Sequence, residues 1–224
     1  MILKIRQWGL VDYQDSWQQM KTFTDQRDRN TVDEMWLLEH SPVFTFGQAG
    51  KPEHLLDAHQ IPVVKSDRGG QVTYHGPGQL IAYPLINLQR LGIGVREFVD
   101  GIEQSIINTL AEFNITATRQ QGAPGVYVNR ADLGHNRANL STINNAKIAA
   151  LGLRVRHGYT FHGMSLNVAM DLEPFQWINP CGYAGMAVTQ IQDELADRQP
   201  PTLEDVSSHL LRHFCQQFDF EISH

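Results

Sequence analysis

The chain has 224 residues, of which 42% are hydrophobic, 19% charged and 9% aromatic, ordinary values for a globular protein that exclude a disordered or fibrous chain. Its 18 basic and 24 acidic residues give a net charge of -6, which argues against general nucleic-acid binding. The two cysteines, Cys181 and Cys215, are too few for a disulfide framework, lack a C-x-x-C zinc spacing, and fit a reducing compartment.

At the N-terminus, Lys4 and Arg6 interrupt the only apolar stretch, so it lacks the apolar core of a signal peptide. Residues 2–7 read as a short strand, and 12–29 as an amphipathic helix with Tyr13, Trp17, Met20, Phe23 and Thr24 at spacings of three and four. Short runs at 34–40, 43–46 and 62–65, bounded by Ser-Pro, Gly or Asp, predict strands. Two more apolar runs, 71–75 and 79–88, flank the turn Gly76-Pro77-Gly78. Within the second, Leu80 to Leu88 is the longest apolar run in the chain, yet Pro84 and Asn87 break it and it falls far short of the ~20 residues a bilayer requires. A soluble, cytoplasmic protein is expected.

Residues 95–113 form the clearest helix, with Phe98, Ile102, Ile106, Leu110 and Phe113 in one stripe. Runs at 115–118, 125–128, 146–155 and 164–169 predict a second layer of hairpins. Between 129 and 145 the chain is polar, Asn-rich and without period, which predicts a long, mobile loop centred on 132–145. Finally, Pro200-Pro201 blocks a preceding helix, Thr202 with Asp205 makes a capping box, and Leu203, Val206, Leu210, Phe214 and Phe218 run down one face of a terminal helix. With no repeat and no linker, the order predicts one α/β domain over 1–224, a mixed, largely antiparallel sheet flanked by about three longer helices.

Three segments hold chemistry. Asp67 to Gln79 packs four glycines, an arginine and a histidine between strands, which suits either a ligand-binding loop or an ornate hairpin turn. It matches neither phosphate fingerprint, G-x-x-x-x-G-K-[ST] or G-x-G-x-x-G, so nucleoside triphosphate binding is not indicated. Cys181 lies between Pro180 and Gly182, a loop position unlike that of a packing cysteine, and a thiol with an ordinary pKa of ~8.5 needs a partner to be nucleophilic at neutral pH. His75, His157, His162 and Lys147 are all open as that partner. Cys215, on the apolar face of the terminal helix, reads as packing. His209 and His213 are spaced i, i+4 but have no third ligand in a zinc pattern, so no metal is expected. Residues 113–170 carry six basic residues against one acidic, either a fluctuation of solvated charge or a face for an acidic partner.

Taken together, Arg68-Gly69-Gly70-Gln71-Val72-Thr73-Tyr74-His75 with Gly76-Pro77-Gly78-Gln79, Lys147-Ile148-Ala149-Ala150-Leu151-Gly152, Phe161-His162-Gly163 and Asn179-Pro180-Cys181-Gly182 resemble, in order and content, the octanoyltransferases of lipoate biosynthesis. The resemblance runs from about Trp8 to Gln190 and includes Glu39-His40 and Pro42-Val43-Phe44-Thr45. It implies the fold of biotin and lipoate ligase catalytic domains. It also implies transfer of octanoate from acyl carrier protein to a lysine of lipoyl domains, those of 2-oxoacid dehydrogenase complexes and of glycine cleavage H protein. By the same resemblance Cys181 is the acyl-thioester nucleophile and Lys147 lowers its pKa. Arg68 to His75, Ala150, Leu151 and Gly152, and Gly163, Met164 and Ser165 line the acyl pocket. No cofactor, metal, nucleic acid or membrane is implied, and a monomer is the default. Lys147, Arg154 and Arg156 then form a landing site for the acidic carrier. An ATP-dependent lipoate ligase and a non-catalytic lipoyl-domain binder are the alternatives. The polar run of 132–145 departs from the family pattern and bears on partner contact rather than on the Cys/Lys pair.

Overall fold

The computed structural model describes residues 1–129, 145–179, 185–195 and 199–223. The expected mobile loop, except Asn145, and Cys181 with its immediate neighbours lie outside the described residues.

The chain opens with strand β1 (Ile2–Val11) and helix α1 (Tyr13–Gln26), whose N-cap Asp12 accepts from the N–H groups of Gln14 and Asp15. Strands β2 (Asp33–His40), β3 (Val43–Phe46), β4 (Val63–Lys65), β5 (Val72–His75) and β6 (Gln79–Leu85) follow. The apolar run expected to continue to residue 88 stops at Leu85, because Asn87 caps a one-turn helix α2 (Leu88–Leu91) through its side-chain oxygen. Helix α3 (Val95–Glu112) leads to β7 (Ala117–Arg119), β8 (Gly125–Asn129), β9 (Asn145–Arg156) and β10 (Tyr159–Asn167). Strand β10 begins five residues earlier than expected. Its hairpin with β9 turns on His157 and Gly158 alone, both at positive φ (53° and 84°), as a two-residue turn between twisted strands requires. A one-turn helix α4 (Ile191–Glu194), helix α5 (Leu203–Phe218) and an unforeseen edge strand β11 (Glu221–Ser223) complete the order. The capping box of α5 is present as expected, with Thr202 and Asp205 bonded in both directions, worth about 1 kcal/mol.

Among the described residues eight strands form one sheet in the order β11-β1-β2-β6-β10-β9-β8-β7, parallel at β11-β1-β2 and antiparallel elsewhere. The strands after α3 therefore extend the first sheet instead of building the second layer expected of them. A separate three-stranded sheet, β4-β3-β5, carries the segment before the Gly-rich turn. Helices α3 and α5 cover one face of the large sheet, with Phe98, Ile102, Ile106, Leu110, Val206, Leu210 and Phe214 all at 0–1% exposure. Each such side chain contributes about 1.5–3 kcal/mol by leaving water. Cys215 joins that core, and burial pushes its thiol up. On the other face α1 covers only part of the sheet, through Met20 against Trp36, Leu38, Ile81, Tyr83 and Phe161. The small sheet lies beyond it. The interval between them is the cleft. Among the described residues no helix is long and apolar enough to cross a membrane.

Candidate active site

The cleft encloses about 80 Å³, several times the ~10–15 Å³ one water needs. It brings together Arg68, Gly70, Gln71, Val72, Thr73 and His75 from the Gly-rich segment, Lys147, Ala150, Leu151 and Gly152 from β9, and Gly163, Met164 and Ser165 from β10. Two expected members are not among its lining residues. Gly69 donates its N–H to Leu153 O (3.2 Å), and Tyr74 packs between Phe44 and Phe175 in the core of the small sheet. Others were not singled out from the sequence as lining: Tyr13, Ile81, Tyr83, Ala149, Asn167, Phe175 and Val188. His162, noted as a motif member and as a candidate partner of Cys181 but not as lining, lines it too. The signal for Asn167 lay in its strand, where alternation sets Ser165 and Asn167 on the face opposite Leu166, which packs in the helix-covered core.

Lys147 is placed by an irregularity. Val126 pairs with Ala149 but Tyr127 with Lys147, so Ile148 is an extra residue on β9 and Lys147 falls directly across from Tyr127. Its Nζ lies 5.4 Å from the Tyr127 ring centroid and donates to Pro124 O at 2.9 Å, with the residue only 5% exposed. A side chain on Gly125, at φ 140°, would strike Lys147 Cε at 2.5 Å. The glycine thus makes room for the lysine. The Lys147 backbone is fixed as well, its N–H donating to Ala187 O (2.8 Å) and its carbonyl accepting from Thr189 N–H (2.9 Å). Being buried, Lys147 adds nothing to a charged surface, which corrects its place in the expected landing site. Of that trio Arg154 bonds Gln48 (2.7 Å) and Arg156 pairs with Asp25 (2.8 Å).

The Gly-rich loop is held by Arg68, 8% exposed. Its guanidinium donates to Thr45 Oγ1 (3.0 Å), Thr45 O (2.5 Å), Gly69 O (2.8 Å) and Gln71 O (2.6 Å). From Thr45 a line of bonds runs behind the cleft. The Thr45 hydroxyl donates to His75 Nε2 (3.3 Å), His75 Nδ1 to Gln79 Oε1 (2.7 Å), Gln79 Nε2 to Asn167 Oδ1 (2.9 Å), and Asn167 Nδ2 to Thr189 O (2.9 Å), whose own N–H reaches Lys147. The loop and the lysine strand are thereby tied through buried polar groups.

His162 has a different cause. Continuing the β6–β10 register by two residues sets Pro84, which has no N–H to donate, opposite His162. There the chain takes a φ of 56°, and the ring turns to the α1 side, where Nε2 donates to Asp67 Oδ1 (2.8 Å) beside Trp17 and Tyr83. Asp67 also accepts from Trp17 Nε1 (2.7 Å).

His40, His75 and His162 are all buried near one another, and desolvation lowers all three below the usual histidine range, His40 to about 4. His40 accepts at Nε2 from Tyr83 OH (2.7 Å) and donates at Nδ1 to Val11 O (3.1 Å), a neutral ring by its partners. An unfolded chain takes up this proton as pH falls below 6.5, while the folded one resists until about 4. Stability is therefore full above pH 6.5 and falls between the two, by about 3 kcal/mol for His40. His75 and His162 add to this, and Glu103, which burial pushes up, offsets part. Urea unfolding at pH 7 and 4.5 measures it; equal free energies at both would contradict the assignment.

Among the described residues no group of three or more His, Cys, Asp or Glu could hold a metal. His209 and His213 instead lie beside Arg212, with His213 also at Glu112.

A family model described as lipoyl protein ligase A/B catalytic domain matches residues 12–215. The chain is 54% identical over 215 residues to an octanoyltransferase of Xanthomonas campestris pv. campestris (strain B100), covering 96% of this chain and 85% of the relative. It is 55% identical over 213 residues to an octanoyltransferase of Saccharophagus degradans, covering 94% and 91%. Among solved structures, a lipoate-protein ligase A bound with ATP superimposes with a TM-score of 0.72 at 14% identity, covering 100% of this chain and 88% of that one. The biotin protein ligase of Aquifex aeolicus gives 0.54 at 8% identity, covering 97% and 68%. At these identities the structures establish the fold alone. The sequence matches go further, and by them the chain belongs to the lipoyl protein ligase A/B catalytic-domain family, among its octanoyltransferases.

Proposed function

We propose that this enzyme moves an octanoyl group from octanoyl-acyl carrier protein to a lysine of lipoyl domains, those of 2-oxoacid dehydrogenase complexes and glycine cleavage H protein, through a thioester on Cys181. The observation that carries the reading is Lys147, a buried amine in a cleft otherwise walled largely by small and apolar residues, its backbone bonded to the segment 187–189 that follows Cys181.

In the first half-reaction the Cys181 thiolate attacks the carbonyl carbon of the donor thioester, with Lys147 as its ammonium counter-ion. The tetrahedral intermediate collapses, the bond to the pantetheine sulfur breaks, and that sulfur leaves with a proton from Lys147. In the second, the acceptor amine attacks the Cys181 thioester, its proton passes to Lys147, and the Cys181 thiolate departs. Exchange between thioesters is nearly isoenergetic and amide formation from a thioester runs downhill, so no ATP enters. Backbone N–H groups near Cys181 or at Gly70 are the proposed oxyanion donors, the Gly69 N–H being engaged by Leu153 O. Arg154 and Arg156 remain the proposed contacts for an acidic carrier.

Incubation with octanoyl-acyl carrier protein, without ATP, followed by intact mass measurement tests this. We expect an octanoyl adduct that Cys181→Ala abolishes and that a lipoyl domain discharges. Turnover only with ATP would establish an adenylate-forming ligase, and acceptor modification unaffected by Cys181→Ala and Lys147→Ala would leave a mere binder.

A further inference from the structure

One buried carboxylate has no part in the steps above. Glu103 lies on the core side of α3, between Ile102 and Ile106 of its apolar stripe, and is 5% exposed. An ionisable group there is costly unless partnered. Its Oε1 accepts from the N–H of Gly125 at 2.7 Å, while Oε2 lies 3.4 Å from Arg119 Nε towards solvent. That N–H belongs to the peptide bond between Pro124 and Gly125, and the carbonyl of the same peptide bond accepts from Lys147 Nζ at 2.9 Å. The amine and the carboxylate thus grip opposite ends of one peptide group. Its dipole points the right way for both: negative oxygen to the ammonium, positive N–H to the carboxylate, each bond polarising the other. The missing Cβ of Gly125 lets the lysine lie against this peptide, 3.0 Å from where that carbon would stand.

We propose that Glu103 is the positioning residue of Lys147, holding its Nζ in direction and in the ammonium form through the shared Pro124–Gly125 peptide. The role rests on the transfer mechanism proposed above. Among the described residues three charged groups face Glu103: Arg119 from β7, Asp100 one turn earlier on α3, and Lys147 from β9. Among the described residues the Tyr127 ring also faces Lys147, from β8. Burial pushes the Glu103 carboxyl up, and the Gly125 N–H, then Arg119 and least of all Lys147, pull it back. A purely structural Glu103 would only tie α3 to β8.

Glu103→Gln separates the two, because its amide oxygen still accepts from Gly125 while the charge is gone. The measurement is the pH profile of Cys181 octanoylation from octanoyl-acyl carrier protein in the full chain, wild type beside Glu103→Gln and Arg119→Gln. Glu103→Gln is expected to lower the maximal rate about tenfold with KM unchanged, and to move the alkaline limb about one pH unit lower. Arg119→Gln, which removes a competing cation, is expected to move that limb higher by a smaller amount. Coincident alkaline limbs would overturn the proposal. Should Glu103→Gln fail to fold, an unmoved limb in Arg119→Gln overturns it alone. Absence of any Cys181 adduct in the wild type would instead defeat the thioester mechanism.

Discussion

Lys147→Met is expected to slow octanoylation of Cys181 by at least ~10³-fold while leaving the fold in place. Two losses combine. Without the ammonium the thiol returns towards its ordinary ~8.5, so only a few per cent is thiolate at pH 7. Without the amine, neither the departing sulfur nor the incoming lysine has a positioned proton partner, a term worth 10² to 10⁴ in general acid–base catalysis. Methionine keeps the length and the packing over Tyr127, while Pro124 O loses its donor and Glu103 a nearby cation. Single-turnover mass measurements, with circular dichroism as the control for folding, give the rate. A second signature belongs to the missing cation alone: the residual rate of the variant should climb as pH approaches 8.5. Retention of more than a tenth of the wild-type rate at pH 7 would remove Lys147 from the reaction.

The largest loss of stability is expected at Arg68. Four donor contacts among the described residues hold both partners of a small-sheet corner, the Thr45 hydroxyl and carbonyl on β3 and the Gly69 and Gln71 carbonyls of the loop. Hydrogen bonds from a charged donor contribute about 1.5–3 kcal/mol each, and stripping the donor leaves buried acceptors short of partners. Arg68→Leu should therefore cost about 4 kcal/mol, at the upper end of single substitutions. With a slope of roughly 2–3 kcal/mol/M, the urea midpoint falls by about 1–2 M. Lysine at this position should recover less than half, since a point cation with three donors cannot reproduce a planar fork. An unchanged midpoint in Arg68→Leu would show that the loop holds itself.

The long elements were legible because their signals are local. The stripe from Phe98 to Leu110 and the Thr202 to Asp205 box need only their own helix, and both stand where the periodicity puts them. The start of β10 was hidden because His162 and Gly163 interrupt its alternation, and the cause, Pro84, is 78 residues away in sequence. Likewise, nothing near residue 43 states that β3 leaves the large sheet for β4 and β5. Most of the Gly-rich loop and Lys147 were legible as residues of the cleft, from composition and from family pattern. Glu103 was not: within an apolar helical stripe its meaning depends on a peptide group of another element.

The bonded line from Arg68 to Thr189 has a direction. Arginine has only donors and the Thr189 carbonyl only accepts, so every group between is forced to pass its hydrogen the same way, and His75 has one permitted tautomer. A proton added at Nε2 of His75 would meet the Thr45 hydroxyl hydrogen already facing it, and that hydroxyl would have to turn away. The wall of the cleft is therefore chemically one-handed. Evolution can vary its side chains in size more freely than in the sense of their hydrogen bonds, so that glutamate, though the same shape as Gln79, is the wrong residue there.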